Sequence, residues 1–274
     1  MPSENTVLSL VPAGAAHRVV GNRAVALPGV TVDILTTRKI ELEQWELRRF
    51  HDPYWRLYWP LIAGGIIEID GKETALTPGS VYLIPPHTTF STRTRQPFAK
   101  WYAHFNLGPL ADRAAPGIYK FPITPDMRRH MQKLAHPASD KTRFAWHSIL
   151  WVIEAVQCLP ASVWEQQRLD SRVLTAMEFM NTHLSLKLTA EQIAKYAGLS
   201  VRNLNHLFQQ ELQQAPMRVL LDYRLDEACR LLRHGDTSID EIAEQCGLIN
   251  RHYLSRMMRQ YRNTSPAAYR NEML

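Results

Sequence analysis

Arg202, Asn205, His206 and Gln209 follow an i, i+3, i+4, i+7 course, and His252, Ser255, Arg256 and Arg259 repeat it 50 residues later. On a helix, positions so spaced share one face. Neither face contains Asp or Glu, and no acidic residue lies between Glu244 and Glu272. An ordinary solvated face carries both signs of charge. A face of guanidinium, amide, imidazole and hydroxyl groups has a chemistry of its own. Arg bridges guanine O6 and N7, Asn pairs with adenine N6 and N7, and a helix has the right width for a major groove. The expected partner is double-stranded DNA. Lys195, Arg259 and Arg262, with Gln209 on the same outward face, are the candidates for holding phosphates.

These faces need rigid carriers, and the surrounding residues supply them twice. Thr189 followed by Gln192, and Ser238 followed by Glu241, predict capping boxes that open two helices. Ile193, Ala194 and Gly198 recur 49 residues later as Ile242, Ala243 and Gly247, while Leu204, Phe208 and Pro216 recur 50 later as Leu254, Met258 and Pro266. A small residue in the first helix, a glycine turn and a polar cap (Ser200, Asn250) that restarts the chain predict a helix-turn-helix in each copy. Leu204, Leu207 and Phe208 in one copy, and Leu254, Met257, Met258 and Tyr261 in the other, should face inward. Between the copies, "PMRVLLDYRLDEACRLLRHG" predicts one continuous connecting helix.

From Val30 to about Leu107 the periodicity is that of strands. Asp70-Gly71 predicts a tight hairpin and Pro78-Gly79 the next turn. Short antiparallel strands so spaced suggest a barrel or a two-sheet jelly roll. Such a fold offers a mouth for a small molecule, and Arg56, Trp55, Tyr58, Trp101 and His104 are the expected contacts, with Arg56 the preferred one. His51, His87 and His104 come from different strands but form no compact ligand set, so no metal is expected. No nucleophile stands beside a recognisable base, and neither a catalytic residue nor a cofactor is expected. From Thr124 the spacing becomes helical, and "TRFAWHSILWVIEAVQCL" is apolar around much of its circumference, suited either to packing on the sheets or to facing a second subunit. The polar stretch 161–170 reads as a linker.

The 274 residues, 45% hydrophobic, suffice for two domains. Net charge is +6; from Ser171 onward 13 basic residues against 11 acidic leave only +2 there. Overall charge therefore does not mark a binding surface, whereas its local distribution through Arg251, Arg256, Arg259, Arg262 and Arg270 does. Cys158, Cys229 and Cys246 lack metal-ligand spacing and suit a reducing cytosol. No export signal and no membrane span is evident, so a cytoplasmic location is expected.

The fragments "LTAEQIAKYAGLSVRNLNHLFQQEL", "APMRVLLDYRLDEACRLL" and "SIDEIAEQCGLINRHYLSRMMRQYRNTSPAAYR" resemble the AraC/XylS family of transcription regulators over residues 170–271. The resemblance implies two helix-turn-helix units joined by a long helix, with base contacts at Arg202, Asn205 and His206 and at Arg251, His252, Ser255 and Arg256. Gln213 and Asn263 stand where the family usually has glycine. "GGIIEIDGKETALTPGSVYLIPPHTTF" and "WYAHF" resemble the family's cupin-type effector domain, which implies a bound sugar or other small metabolite, a homodimer made by a following helix, and RNA polymerase as a partner of an activator. The expectation is an α+β two-domain chain: a cupin-like sensor with following helices over 1–160, a linker over 161–170 and an all-α double helix-turn-helix over 171–274. Two rivals remain, a metal-dependent cupin enzyme with a helical interaction module and a DNA-binding regulator whose sensor holds no ligand.

Overall fold

A computed structural model describes residues 31–108, 111–135, 140–164 and 169–271. Nine strands come first: β1 (Asp33–Leu42), β2 (Leu47–Phe50), β3 (Trp55–Pro60), β4 (Gly65–Ile69), β5 (Lys72–Ala75), β6 (Ser80–Ile84), β7 (Phe90–Thr94), β8 (Phe98–Asn106) and β9 (Tyr119–Pro122). They form a five-stranded sheet in the order β1-β8-β3-β6-β9 and a four-stranded sheet in the order β2-β7-β4-β5. All the pairings are antiparallel. The hairpin between β4 and β5 turns at Asp70 (φ 48°) and Gly71 (φ 76°), the positive-φ pair that the Asp-Gly sequence favours.

Side chains alternate across a strand, so β3 serves two cores at once. Arg56 and Tyr58 point between the sheets, among Trp45, Phe50, Phe90, Phe98 and Tyr102. Trp55 and Leu57 point the other way, to a second core completed by helices α1 (Pro125–Ala135) and α2 (Lys141–Val156). On β8, Trp101 sits opposite Trp59 and Tyr102 opposite Tyr58, so the same division holds there. Asp140 caps α2, accepting from the backbone N–H of Thr142 (2.9 Å) and Arg143 (3.3 Å). Trp151, Val152 and Ala155 bury one stripe of this helix against the sheet, while Trp146 (61% exposed), Leu150 (39%) and Ile153 (43%) form a second stripe in the open.

Within the stretch expected to be a linker, Ala161–Val163 forms a 3-10 turn that buries Val163 in the core beneath the five-stranded sheet, so this unit extends past residue 160. Residues 165–168 of that stretch, and the N-terminal residues 1–30, lie outside the described residues. From 169 to 271 the described elements are helices: α3 (Ser171–Thr182), α4 (Ala190–Tyr196), α5 (Val201–Leu212), α6 (Pro216–His234), α7 (Ile239–Gln245), α8 (Arg251–Arg262) and α9 (Pro266–Asn271). Among the described residues no helix is long and apolar enough to cross a membrane.

Both expected capping boxes are present, at Thr189/Gln192 and at Ser238/Glu241. Gly198 (φ +67°) and Gly247 (φ +63°) make the turns, and Ser200 and Asn250 cap the restarted helices. Gln213 and Asn263 end α5 and α8 in the left-handed conformation. At Gln213 the side-chain amide donates to the Gln210 carbonyl (3.3 Å), an anchor for a residue type that glycine would replace without strain. Each unit has its own core, one built on Ile193, Leu204, Phe208 and Leu220, the other on Ile242, Leu254, Met258 and Leu232. The 19 residues of α6, at about 1.5 Å per residue, hold the two units apart over about 28 Å.

Candidate nucleic-acid interface

α5 and α8 present the same cross-section. Leu204, Phe208 and Leu212 of α5 are buried, as are Leu254, Met257 and Met258 of α8. Opposite them Arg202, Asn205, His206 and Gln209, and Arg251, His252, Arg256 and Arg259, are exposed, with Ser255 half-buried between them. The amide of Asn205 donates to the Val201 carbonyl (2.8 Å), which leaves its oxygen outward. Arg251 lies 3.4 Å from Asp240 and the Arg256 guanidinium 5.2 Å from the Tyr253 ring centroid, both loose contacts at an exposed surface. Lys195, on the last turn of α4, is exposed as well.

Arg262 departs from expectation. Its side chain is 9% exposed and bridges Asp226 (2.5 Å) and Asp222 (3.5 Å) of α6. Burial alone would lower its pKa, but these carboxylates outweigh that and hold it protonated. It ties the end of α8 to the connecting helix and is not presented to a phosphate. Arg270 is likewise spent internally, donating to the Thr237 carbonyl (2.5 Å). The basic run from Gly247 onward therefore divides into arginines exposed along α8 (Arg251, Arg256, Arg259) and structural ones at its end and beyond (Arg262, Arg270).

The expected ligand contacts of the sheet unit also need correction. Trp55 and Trp101 lie on the helix-covered side; the Trp55 indole donates to Asp112 (2.9 Å) and stacks on Phe105, so neither can line the space between the sheets. Arg56 does point there, yet Asp52 is its ion-pair partner, and the rings of Phe50, Tyr54 and Phe90 surround the guanidinium at 4.8, 4.8 and 5.2 Å. Tyr58 and His104 share that interior with Lys100, which residue type and spacing do not single out. The free space among them is about 10 Å³, room for about one water molecule.

Asp52 is the point where the sheets meet the helical half. Besides Arg56, it accepts from the hydroxyl of Tyr269 on α9 and lies 3.8 Å from Arg233 at the end of α6. Burial pushes the carboxyl upward, but Arg56, Arg233 and the hydrogen bond from Tyr269 prevail and keep it below its ordinary value. His104 stands 5.4 Å from His234, ring to ring. A second link joins His87 to Asp226 (3.4 Å). His87 also meets His51 (3.4 Å), while His104 lies apart; among the described residues no group of three or more His, Cys, Asp or Glu converges as a metal-ligand set. A polar cleft of about 610 Å³ runs between the sheet edge and α6, but its charges are largely matched, Arg218 to Asp222 and Arg230 to Glu227 among them. Cys158, Cys229 and Cys246 are free.

A family model described as a helix-turn-helix domain matches residues 193–272. Among curated proteins, the chain is 33% identical over 97 residues to the transcriptional activator RhaS of Salmonella arizonae, covering 35% of each protein. It is 28% identical over 99 residues to the uncharacterized transcriptional regulator YdeC of Bacillus subtilis, covering 36% of this chain and 34% of that one. The matched stretch thus spans about a third of these relatives. ToxT from Vibrio cholerae, at 9% identity, superposes over 87% of this chain and 98% of its own with a TM-score of 0.55, a likeness of fold that takes in the sheets as well as the helices. Residues 193–272, which hold most of the two capped units in tandem, are thus similar to the helix-turn-helix domains of known transcription regulators.

Proposed function

We propose that the protein is a sequence-specific DNA-binding transcription regulator whose helices α5 and α8 enter successive major grooves. The observation that carries this reading is the pair of exposed, acid-free faces on equivalent helices of a duplicated unit. Arg202, Asn205 and His206, and Arg251, His252, Ser255 and Arg256, read base edges. Lys195, Gln209 and Arg259 hold phosphates. Major grooves recur on one side of a duplex about every 34 Å, a distance that a connecting helix of about 28 Å with a reading helix at each end can match.

Arg256→Ala is expected to weaken specific binding by about 1–3 kcal/mol and to relax base preference at one position. Competition titrations across single-base variants of a site selected from random DNA check it, and an unchanged preference removes Arg256 from the reading set. Arg262→Ala should instead lower the melting temperature, because it leaves Asp222 and Asp226 without their shared cation.

The sheets form a cupin-like sensor for a small metabolite, and the protein works as a homodimer that engages RNA polymerase as an activator. The exposed stripe of Trp146, Leu150 and Ile153 supports self-association, since it is apolar and belongs to a helix whose other face is already packed. Trp146→Glu is expected to weaken the dimer at least tenfold, about 1.4 kcal/mol, by sedimentation; unchanged self-association places the interface elsewhere. Because the inward-facing Arg56 and His104 abut Arg233, His234 and Tyr269 through Asp52 and ring contacts, occupancy of the interior biases how the helical half is held.

A further inference from the structure

Helices α1 and α2 pack side by side, and where they meet His130 of α1 stands against His147 of α2. The two Nδ1 atoms are 3.3 Å apart, with the ring centroids at 5.6 Å and the planes tilted by 38°. Both residues are half-buried. An N–H donor prefers its acceptor at about 2.7–3.2 Å, so a shared proton would draw the rings closer than this. The separation is instead the one that two nitrogens take on a tetrahedral ion: with bonds of about 2.0–2.1 Å to zinc, they stand about 3.3–3.4 Å apart. The rings are already set as the two arms of a chelate. Burial, with His147 close by, lowers the pKa of His130, so this ring is a neutral ligand at neutral pH. The surrounding charges also favour a cation. Arg129 pairs with Asp126 (2.9 Å) and Arg143 with Asp140 (3.5 Å), so both guanidinium groups are offset. Glu154, two turns along α2 from His147, is bonded to the neutral amide of Gln157 (2.6 Å), and its charge reaches His130.

Two ligands are all that one chain offers there, since among the described residues no third His, Cys, Asp or Glu converges on the pair. A tetrahedral ion held by them has two positions left to fill. His147 follows Trp146 and stands one turn before Leu150, at the flank of the open apolar stripe of α2. In a two-fold interface the residues beside the axis meet their own copies, so an axis at this flank sets pair against pair. We infer that His130 and His147 are half of a zinc-class metal site, completed by the same two histidines of a second copy, so that one ion clips two chains together beside the stripe. This rests on the reading of the stripe as the self-association face and adds an ion to it. Four imidazoles suit zinc, nickel or copper, whereas magnesium and calcium take oxygen ligands. The ligands being neutral, the charge of the ion is offset by Glu154, one from each chain.

The test uses the full chain, stripped with a chelator and titrated with zinc or, as a hard-ion control, magnesium, and read by calorimetry and sedimentation. Zinc should bind at one ion per two chains and tighten self-association at least tenfold, and magnesium should do neither. Cobalt in its place should give the intense visible absorption of a tetrahedral site. His130→Ala and His147→Ala should each lose the zinc-dependent tightening while keeping the metal-free melting temperature of the parent. His147→Gln, which keeps a polar group in the same place, should lose it too and serves if an alanine variant fails to fold. Zinc bound at one ion per chain with self-association unchanged, uptake that survives both alanine substitutions, or no uptake at micromolar zinc overturns the inference. Trp146→Glu separates the ion from the stripe. A metal-free dimer that this substitution dissolves but zinc does not tighten overturns the bridge and spares the stripe, whereas a zinc-dependent dimer indifferent to Trp146→Glu upholds the bridge and places the apolar contact elsewhere.

Discussion

Asp52→Ala should destabilise the protein by about 3–5 kcal/mol and loosen the helical half from the sheets in the same step. Asp52 is fully buried and joins distant places in the chain: Arg56 on β3 with Tyr54 beside it, Arg233 at the end of α6 and Tyr269 on α9. Removing it leaves the guanidinium of Arg56 buried among Phe50, Tyr54 and Phe90 with no carboxylate to offset its desolvation. The cost is thus that of an uncompensated buried charge, larger than the net worth of the ion pair. Tyr269→Phe separates the two effects, since it keeps the ring and removes the hydrogen bond that the hydroxyl donates to Asp52, and should cost about 1.5–3 kcal/mol. The pH dependence has a definite sign. Because the folded carboxyl is held below its unfolded value of 3.8, its contribution is present above pH 3.8 and is lost as the pH falls through the folded value. Urea denaturation at pH 7 and in the acid range checks both statements; an Asp52→Ala variant within 1 kcal/mol of the parent would mean that Arg56 finds another partner.

The helical half is legible in the sequence because its signals are local. A capping box, a glycine turn and a polar cap each act within four residues, and the unit appears twice, so one copy checks the other. The failures there are long-range. Arg262 looks free in a stretch without acidic residues, but its partners Asp222 and Asp226 lie 40 and 36 residues upstream on α6. The sheet half misleads for a different reason. Residue type alone selects Trp55, Arg56, Tyr58, Trp101 and His104, whereas a strand sends neighbours to opposite faces. Parity puts Trp55 and Trp101 with the helices and brings Lys100 in with Tyr102 and His104. A lysine at an inward position of "KWYAHF" is the available signal. Nothing in the sequence announces that Tyr269 reaches Asp52 across 217 residues.

Gly247→Ala and Gly198→Ala should differ sharply, although the two glycines occupy equivalent turns. Both have left-handed φ, +63° and +67°, so either alanine carries a backbone penalty of about 1–2 kcal/mol. At Gly198 a Cβ would meet nothing within 4 Å, and that penalty is the whole cost. At Gly247 the Cβ would run into the Leu184 carbonyl oxygen, well inside van der Waals contact, with Nη2 of Arg224 at 3.0 Å. That carbonyl cannot step aside freely. It accepts from Nε of Arg224 (3.1 Å), whose Nη2 donates to the Leu186 carbonyl (2.6 Å), so the turn of the second unit is keyed to the loop between α3 and α4 of the first. Relief must come from moving the second turn, and α8 with it. The expected result is a loss above about 3 kcal/mol for Gly247→Ala, with the clash added to the backbone penalty. Specific DNA binding should fall further than stability alone accounts for, because the spacing of α5 and α8 shifts. Melting temperatures and binding isotherms for the two variants side by side check it; equal losses would mean that the loop gives way and the two units are not rigidly keyed.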